Sequence, residues 1–184
     1  MHTKYIILDR DGTLIKHIPY LSNPDFVELE SGVVETLAYF KEKGFKLFLH
    51  TNQSGIERGF FNIEDAIACN YKLIQLLGLG EDIFDKICIA PNLNELPNNY
   101  RKPSPLFANE IMNENNVTKN ELIYIGDSVC DLQTAVNIGC IGLGIKSIDS
   151  SLTDFVLANP SSKLRVVNTW FDVKNYFKDI NEHI

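Results

Sequence analysis

The chain has no apolar stretch approaching the roughly 20 residues that a membrane span requires. Near the N-terminus it offers one lysine and the short run Tyr5–Leu8, too little for a secretion signal. No membrane partner is therefore expected, and the cytoplasm is the expected location. There is also no long basic run and no Lys/Arg-rich helix, and the net charge is −7. That balance argues against a nucleic-acid backbone as the main partner, since such a partner calls for a basic patch. Cysteine is sparse: Cys69, Cys88, Cys130 and Cys140 show no CxxC spacing, which points to reduced thiols and excludes a sulfur-rich metal site. Internal repeats, low-complexity tracts and linker-like segments are missing too. With 184 residues, 45% of them apolar and 22% charged, the chain reads as one globular domain spanning residues 1–184, as a monomer or weak oligomer.

What is present is organised around Asp9-Arg10-Asp11-Gly12-Thr13-Leu14. The apolar run before it reads as a buried parallel strand. The carboxyl ends of such strands are where open α/β sheets place ligands. Alternate residues of a strand face the same way, so Asp9 and Asp11 are expected to enter one crevice. Two close carboxylates repel unless a divalent cation neutralises them or one stays protonated. Magnesium suits a sparse oxygen site of this kind. The competing reading is a solvated turn, since Asp and Gly are turn formers.

Further strand ends follow. A loop of some fifteen residues carries His17 and Tyr20, and a helix with Val33, Val34, Leu37 and Phe40 on one face ends at Gly44. Phe45–Leu49 makes a second strand, leading into His50-Thr51-Asn52-Gln53-Ser54-Gly55, a donor-rich, uncharged run that suits an oxyanion. Asn62 caps a helix reaching Gly78. Asp85–Ala90 is a third strand, followed by an Asn- and Pro-rich loop that ends in Arg101-Lys102-Pro103-Ser104-Pro105. Ser104 is expected as N-cap and Pro105 as the first helical residue. Leu122–Ile125 is a fourth strand, ending in Gly126-Asp127-Ser128-Val129-Cys130-Asp131 and then a helix. Asp127 and Asp131 there serve as either dipole caps or metal ligands. Gly139–Ile145 and Leu164–Val167 complete the strands, and Trp170, Phe171, Val173, Tyr176 and Phe177 are expected to be core contacts of a closing helix.

Taken together, DRDGTL, TNQSGIERG, RKPSP and GDSVCD resemble the haloacid dehalogenase superfamily, and more closely its histidinol-phosphate and heptose bisphosphate phosphatase branch. The segment VVNTWFDVKNYF resembles the end of that branch. The resemblance implies an α/β, three-layer, doubly wound Rossmann-like fold with a mainly parallel sheet and no large cap domain. It implies Asp9 as nucleophile, Asp11 as general acid and base, and Thr51 and Lys102 as stabilisers of the transferring phosphoryl group. Mg²⁺ would be held by Asp9, Asp127 and the main-chain carbonyl of Asp11, with Asp131 supporting that shell. His17, Tyr20, Asn52, Gln53, Ser54, Arg101 and Ser128 are the expected substrate contacts.

One part of the branch pattern is broken. Its relatives commonly carry a zinc site of three Cys and one His just before the RKP motif. The matching positions here are Ala90, Asn92, Asn98 and Tyr100, which do not make a zinc ligand set, so no zinc is expected. Cys88 is expected to face the sheet core. The functional expectation is a Mg²⁺-dependent phosphatase of a small phosphorylated metabolite. D-glycero-D-manno-heptose 1,7-bisphosphate is the first candidate and histidinol phosphate the alternative. A non-catalytic domain that binds a phosphorylated ligand is the rival from a different class.

Overall fold

The computed structural model describes residues 5–96, 98–145, 151–160 and 162–182. In chain order the strands are β1 (Tyr5–Leu8), β2 (Lys46–Asn52), β3 (Lys86–Ala90), β4 (Leu122–Gly126), β5 (Ile141–Ile145) and β6 (Leu164–Val167). The helices are α1 (Val33–Glu42), α2 (Ile63–Leu77), α3 (Leu106–Asn115), α4 (Val129–Ile138), α5 (Ser151–Ala158) and α6 (Trp170–Glu182). One sheet orders the strands β3-β2-β1-β4-β5-β6, and every neighbouring pair is parallel. The chain runs outward from β1 to β3, then returns to lay β4 on the other side of β1. This places the topological switch between β1 and β4, the position where open α/β sheets form their ligand crevice.

Period-two alternation builds the two outer layers. On one face Ile6, Leu8, Leu47, Leu49, Ile123 and Ile125 pack with Leu37 and Phe40 of α1, Leu73 of α2, and Val173 and Phe177 of α6. On the other, Ile7, Phe48, Leu122 and Tyr124 pack with Phe107 and Ile111 of α3, Leu132 and Ala135 of α4, and Leu152 of α5. This is the three-layer, doubly wound arrangement. Cys88 joins the second core, as its position implied. No large cap interrupts the sheet: residues 9–32 form a folded loop with one 3-10 turn at Pro24–Phe26 and isolated bridges pairing Ile15 with Asp11 and Leu29.

Several boundaries differ from the sequence reading. β2 begins at Lys46 and continues through Asn52, so the Thr-Asn pair belongs to the strand and not to the turn after it. α3 starts at Leu106, with Pro105 as N-cap. Ser104 contributes only a 3.3 Å bond from the Leu106 amide to its hydroxyl. Gly139 is the left-handed cap of α4, so β5 starts two residues beyond it. Helix α5 was not anticipated. Phe171 is 54% exposed, because it follows Trp170 by one position and so leaves the buried stripe of α6. No helix among the described residues is long and apolar enough to cross a membrane.

Candidate active site

The carboxyl ends of β1, β2 and β4 converge at the switch point. The Asp9 amide donates to the Ile125 carbonyl at 2.9 Å, continuing the β1–β4 ladder by one residue and fixing Asp9 beside the end of β4. Its side chain is buried. Asp9 Oδ1 accepts from Lys102 Nζ at 2.5 Å, and Oδ2 accepts from the Thr13 hydroxyl at 3.2 Å. The Lys102 ammonium also donates to Asp131 Oδ1 at 2.6 Å. One oxygen each from Asp9, Asp127 and Asp131 lie within 4.8 Å of one another.

The electrostatics follow from this crowding. Burial pushes the Asp9 carboxyl up to about 8; Lys102 opposes that, while Asp131, Asp127 and Asp11 add to it. Burial and then Asp131 push Asp127 up to about 6, against Lys102 and His17. Burial disfavours the Lys102 ammonium, yet Asp131 and Asp9 hold its pKa well above the usual lysine value. The cluster thus holds more negative charge than its one buried cation neutralises. An additional cation bound by hard oxygen donors would relieve it, so the donor set fits Mg²⁺.

Two glycines make the cluster possible. Gly12 has φ +80°, and a Cβ there would stand 2.1 Å from Asp127 Oδ2. A Cβ on Gly126 would fall 2.2 Å from the Asp131 carboxyl carbon. Asp131 itself is the N3 residue of α4. Its Oδ2 accepts from the hydroxyl and amide of the N-cap Ser128, at 2.6 and 3.1 Å, while its Oδ1 faces Lys102. Ser128 is therefore engaged in the helix cap and in orienting Asp131.

Asp11 sits apart from the carboxylate cluster. Its Oδ2 accepts from Gln53 Nε2 at 2.8 Å and from the Thr51 hydroxyl at 3.2 Å. Arg10 donates to both of its oxygens. Of the residues named for the metal, Asp11 is thus the one whose carboxylate is directed elsewhere; its main-chain carbonyl is the group left for that purpose. Asn52 makes a two-bond clasp on the backbone of Lys102: its Oδ1 accepts from the Lys102 amide at 2.9 Å and its Nδ2 donates to the Lys102 carbonyl at 3.3 Å. His17, Tyr20, Asn52, Gln53 and Ser54 border a cavity of about 310 Å³ that Asp11 also lines. A larger cleft of about 740 Å³ lies across Gly12, Thr13, His17 and Asp127, so His17 faces both spaces. Tyr20 is half-exposed and meets Phe60 edge-on at 4.8 Å.

The loop that precedes Lys102 is tied by its own side chains. Arg101 Nη1 donates to the Asn92 carbonyl at 2.9 Å. Asn99 reaches the Asn94 carbonyl and accepts from the Arg101 amide. The Leu93 amide donates to Glu57, and Tyr100 to Glu110. Arg101 is thus directed back along the loop.

Sequence reading missed two residues here, Arg10 and His50. His50 is buried, with Nε2 against the Tyr100 carbonyl at 2.8 Å and Nδ1 against the Tyr124 hydroxyl at 2.9 Å. It anchors the chain two residues before Lys102. The usable signal was period two: Arg10 must point opposite to Asp9, under helix α2, where a charge needs partners.

A family model for haloacid dehalogenase-like hydrolases matches residues 11–145. The chain belongs to that family. This hydrolase is 29% identical over 181 residues to the D-glycero-alpha-D-manno-heptose-1,7-bisphosphate 7-phosphatase of Campylobacter jejuni, covering 97% of this chain and 98% of that one. It is 32% identical over 138 residues to the D-glycero-beta-D-manno-heptose-1,7-bisphosphate 7-phosphatase of Helicobacter pylori strain J99, 73% of this chain and 78% of the relative. Among solved structures, it superposes on the D,D-heptose 1,7-bisphosphate phosphatase of B. bronchiseptica, complexed with magnesium and phosphate, with a TM-score of 0.81 at 26% identity, covering 96% and 98% of the two chains. Within the family this hydrolase lies in the phosphatase branch, whose members hydrolyse phosphoric monoesters.

Proposed function

We propose that the chain, as a single domain over residues 1–184, is a Mg²⁺-dependent phosphomonoesterase working through an aspartyl-phosphate on Asp9. D-glycero-D-manno-heptose 1,7-bisphosphate is its first candidate substrate and histidinol phosphate the second. The observation that carries this reading is the placement of Asp9 at the end of β1, bonded to Lys102 and clustered with Asp127 and Asp131. Relatives named for heptose bisphosphate, aligned over nearly the whole chain, support the substrate.

An Asp9 oxygen attacks phosphorus, the ester P–O bond breaks, and Asp11 gives a proton to the departing oxygen, releasing the alcohol. Water then passes a proton to Asp11 and attacks the phosphorus. The acyl-phosphate P–O bond breaks, which restores the Asp9 carboxylate and frees inorganic phosphate. Lys102 balances charge on the phosphoryl oxygens, and the Thr51 hydroxyl turns from Asp11 Oδ2 to donate a hydrogen bond to them. Asp9, Asp127 and the Asp11 carbonyl would hold Mg²⁺, with Asp131 supporting them; when bound, the ion supplies positive charge opposite the incoming anion. His17, Tyr20, Gln53 and Ser54 border the space for the leaving group, and Asn52 sets the position of Lys102.

The test is phosphate release from a panel of phosphorylated metabolites with Mg²⁺, wild type beside Asp9→Asn. Selective turnover of heptose bisphosphate, abolished by the substitution, supports the whole reading. Selective turnover of histidinol phosphate keeps the mechanism and replaces the substrate. Binding of phosphorylated compounds with no release from any of them replaces the enzyme by a ligand-binding domain.

A further inference from the structure

Arg10 has 0% exposure and lines neither of the two cavities described above. All three of its guanidinium nitrogens nonetheless donate hydrogen bonds. Nε donates to Asp11 Oδ2 at 3.2 Å and Nη2 to Asp11 Oδ1 at 3.1 Å, while Nη1 donates to Asn70 Oδ1 at 2.9 Å and to the Ala66 carbonyl at 3.5 Å. One edge of the planar fork grips the carboxylate, and the remaining nitrogen is braced against helix α2. We propose that Arg10 is a positioning residue that holds the Asp11 carboxylate in the plane and place from which it passes a proton to the leaving oxygen, with Asn70 of α2 as its backstop. This rests on the acid–base reading of Asp11 given above.

Three observations carry it. Thr51 and Gln53 both bind Oδ2, so they locate one oxygen and leave the carboxylate free to swing about it. Arg10 engages the second oxygen and removes that freedom. Asp11 also precedes a glycine with φ +80°, in a turn whose backbone is tied by the Leu14 amide donating to the Arg10 carbonyl at 2.9 Å, so the guanidinium and the carboxylate it grips start from one fixed turn. Finally, the fork requires a guanidinium: a lysine ammonium is a point charge that does not set the orientation of a carboxylate plane. Helix α2 is thereby connected to proton transfer through a single buried side chain.

Proton delivery matters in proportion to the basicity of the leaving oxygen, and this separates positioning from mere support. kcat/KM, which reports phosphoryl transfer to the enzyme, is to be measured with Mg²⁺ for p-nitrophenyl phosphate, phenyl phosphate and glycerol 2-phosphate. Wild type, Arg10→Met, Arg10→Lys, Asn70→Ala and Asp11→Asn are compared. The expected loss in Arg10→Met is about 100-fold on glycerol 2-phosphate and less than about tenfold on p-nitrophenyl phosphate, with phenyl phosphate between them. Asn70→Ala follows the same gradient at smaller size, and Arg10→Lys does not restore wild-type activity. Equal losses on all three esters, or full activity in Arg10→Lys, overturn the proposal. If Arg10→Met fails to fold, Arg10→Lys and Asn70→Ala decide it by the same gradient. A gradient in Asp11→Asn without one in the Arg10 and Asn70 variants removes this proposal alone. A flat Asp11→Asn profile removes the acid–base reading, and this proposal falls with it.

Discussion

At the scale of single residues, the site depends on what is absent as much as on what is present. The missing side chain of Gly12 leaves the space that Asp127 occupies, and its φ of +80° puts any other residue there under strain. Gly12→Ala is therefore expected to displace Asp127 and open the carboxylate cluster. In a thermal melt, Mg²⁺ should raise the Tm of the wild type, since ligands that bind only the folded state stabilise it. That increment should be lost in Gly12→Ala and in Asp127→Asn. A full Mg²⁺ increment in both would mean that the ion sits elsewhere.

At the scale of elements, β2 shows how one strand serves two purposes. Its alternation sends Thr51 toward Asp11 and sends His50 and Asn52 to the opposite face, toward the chain around Lys102. Asn52→Ala removes both bonds that clasp the Lys102 backbone. A misplacement of about an ångström in a catalytic group costs on the order of 100-fold, and the loss should appear in kcat more than in KM. Unchanged kcat would show that Asp9 and Asp131 hold the lysine without the backbone clasp. The strand ends were legible in the sequence because short apolar runs stop at polar clusters, and the paired acids after β1 and β4 stand out in that pattern. The opposed roles of Thr51 and Asn52 follow from period two, but seeing them required knowing that the strand continues to Asn52. Arg10 was overlooked because a charged residue beside two aspartates reads as solvated until helix α2 is placed over it. The beginning of α3 was misplaced because Ser-Pro satisfies the capping rule equally well one residue earlier. The way Asn92, Leu93, Asn94 and Arg101 are held was hidden, since Arg101, Asn99 and Glu57 act through main-chain contacts that leave no periodic trace.

At the scale of the whole molecule, the core itself carries a pH dependence. Burial, and then Lys102, pull the His50 pKa down to about 3, and its ring is hydrogen-bonded on both nitrogens. The Tyr100 carbonyl accepts from Nε2–H, and the Tyr124 hydroxyl donates to Nδ1. His50 is expected to stay neutral, protonated on Nε2, from pH 8 to pH 5 in a ¹⁵N NMR titration. The unfolded chain takes up a proton at this residue below about pH 6.5, whereas the folded chain does not. Its contribution to stability therefore falls as pH drops through that value, by about 2 kcal/mol between pH 7 and pH 5. In urea unfolding, the stability difference between wild type and His50→Gln should shift by that amount in favour of the variant.

The same long-range fastening appears at the other end of the chain. Trp170, the first residue of α6, donates its indole N–H to the Thr13 carbonyl at 2.9 Å, while its own carbonyl accepts from Thr36 at 3.1 Å. It is also the only tryptophan in the sequence. The chain consequently carries its own optical gauge: one fluorophore, hydrogen-bonded to the loop that bears Asp9 and Asp11. Filling the site with Mg²⁺ and inorganic phosphate should change its emission without any added label, and Trp170→Phe should silence the signal.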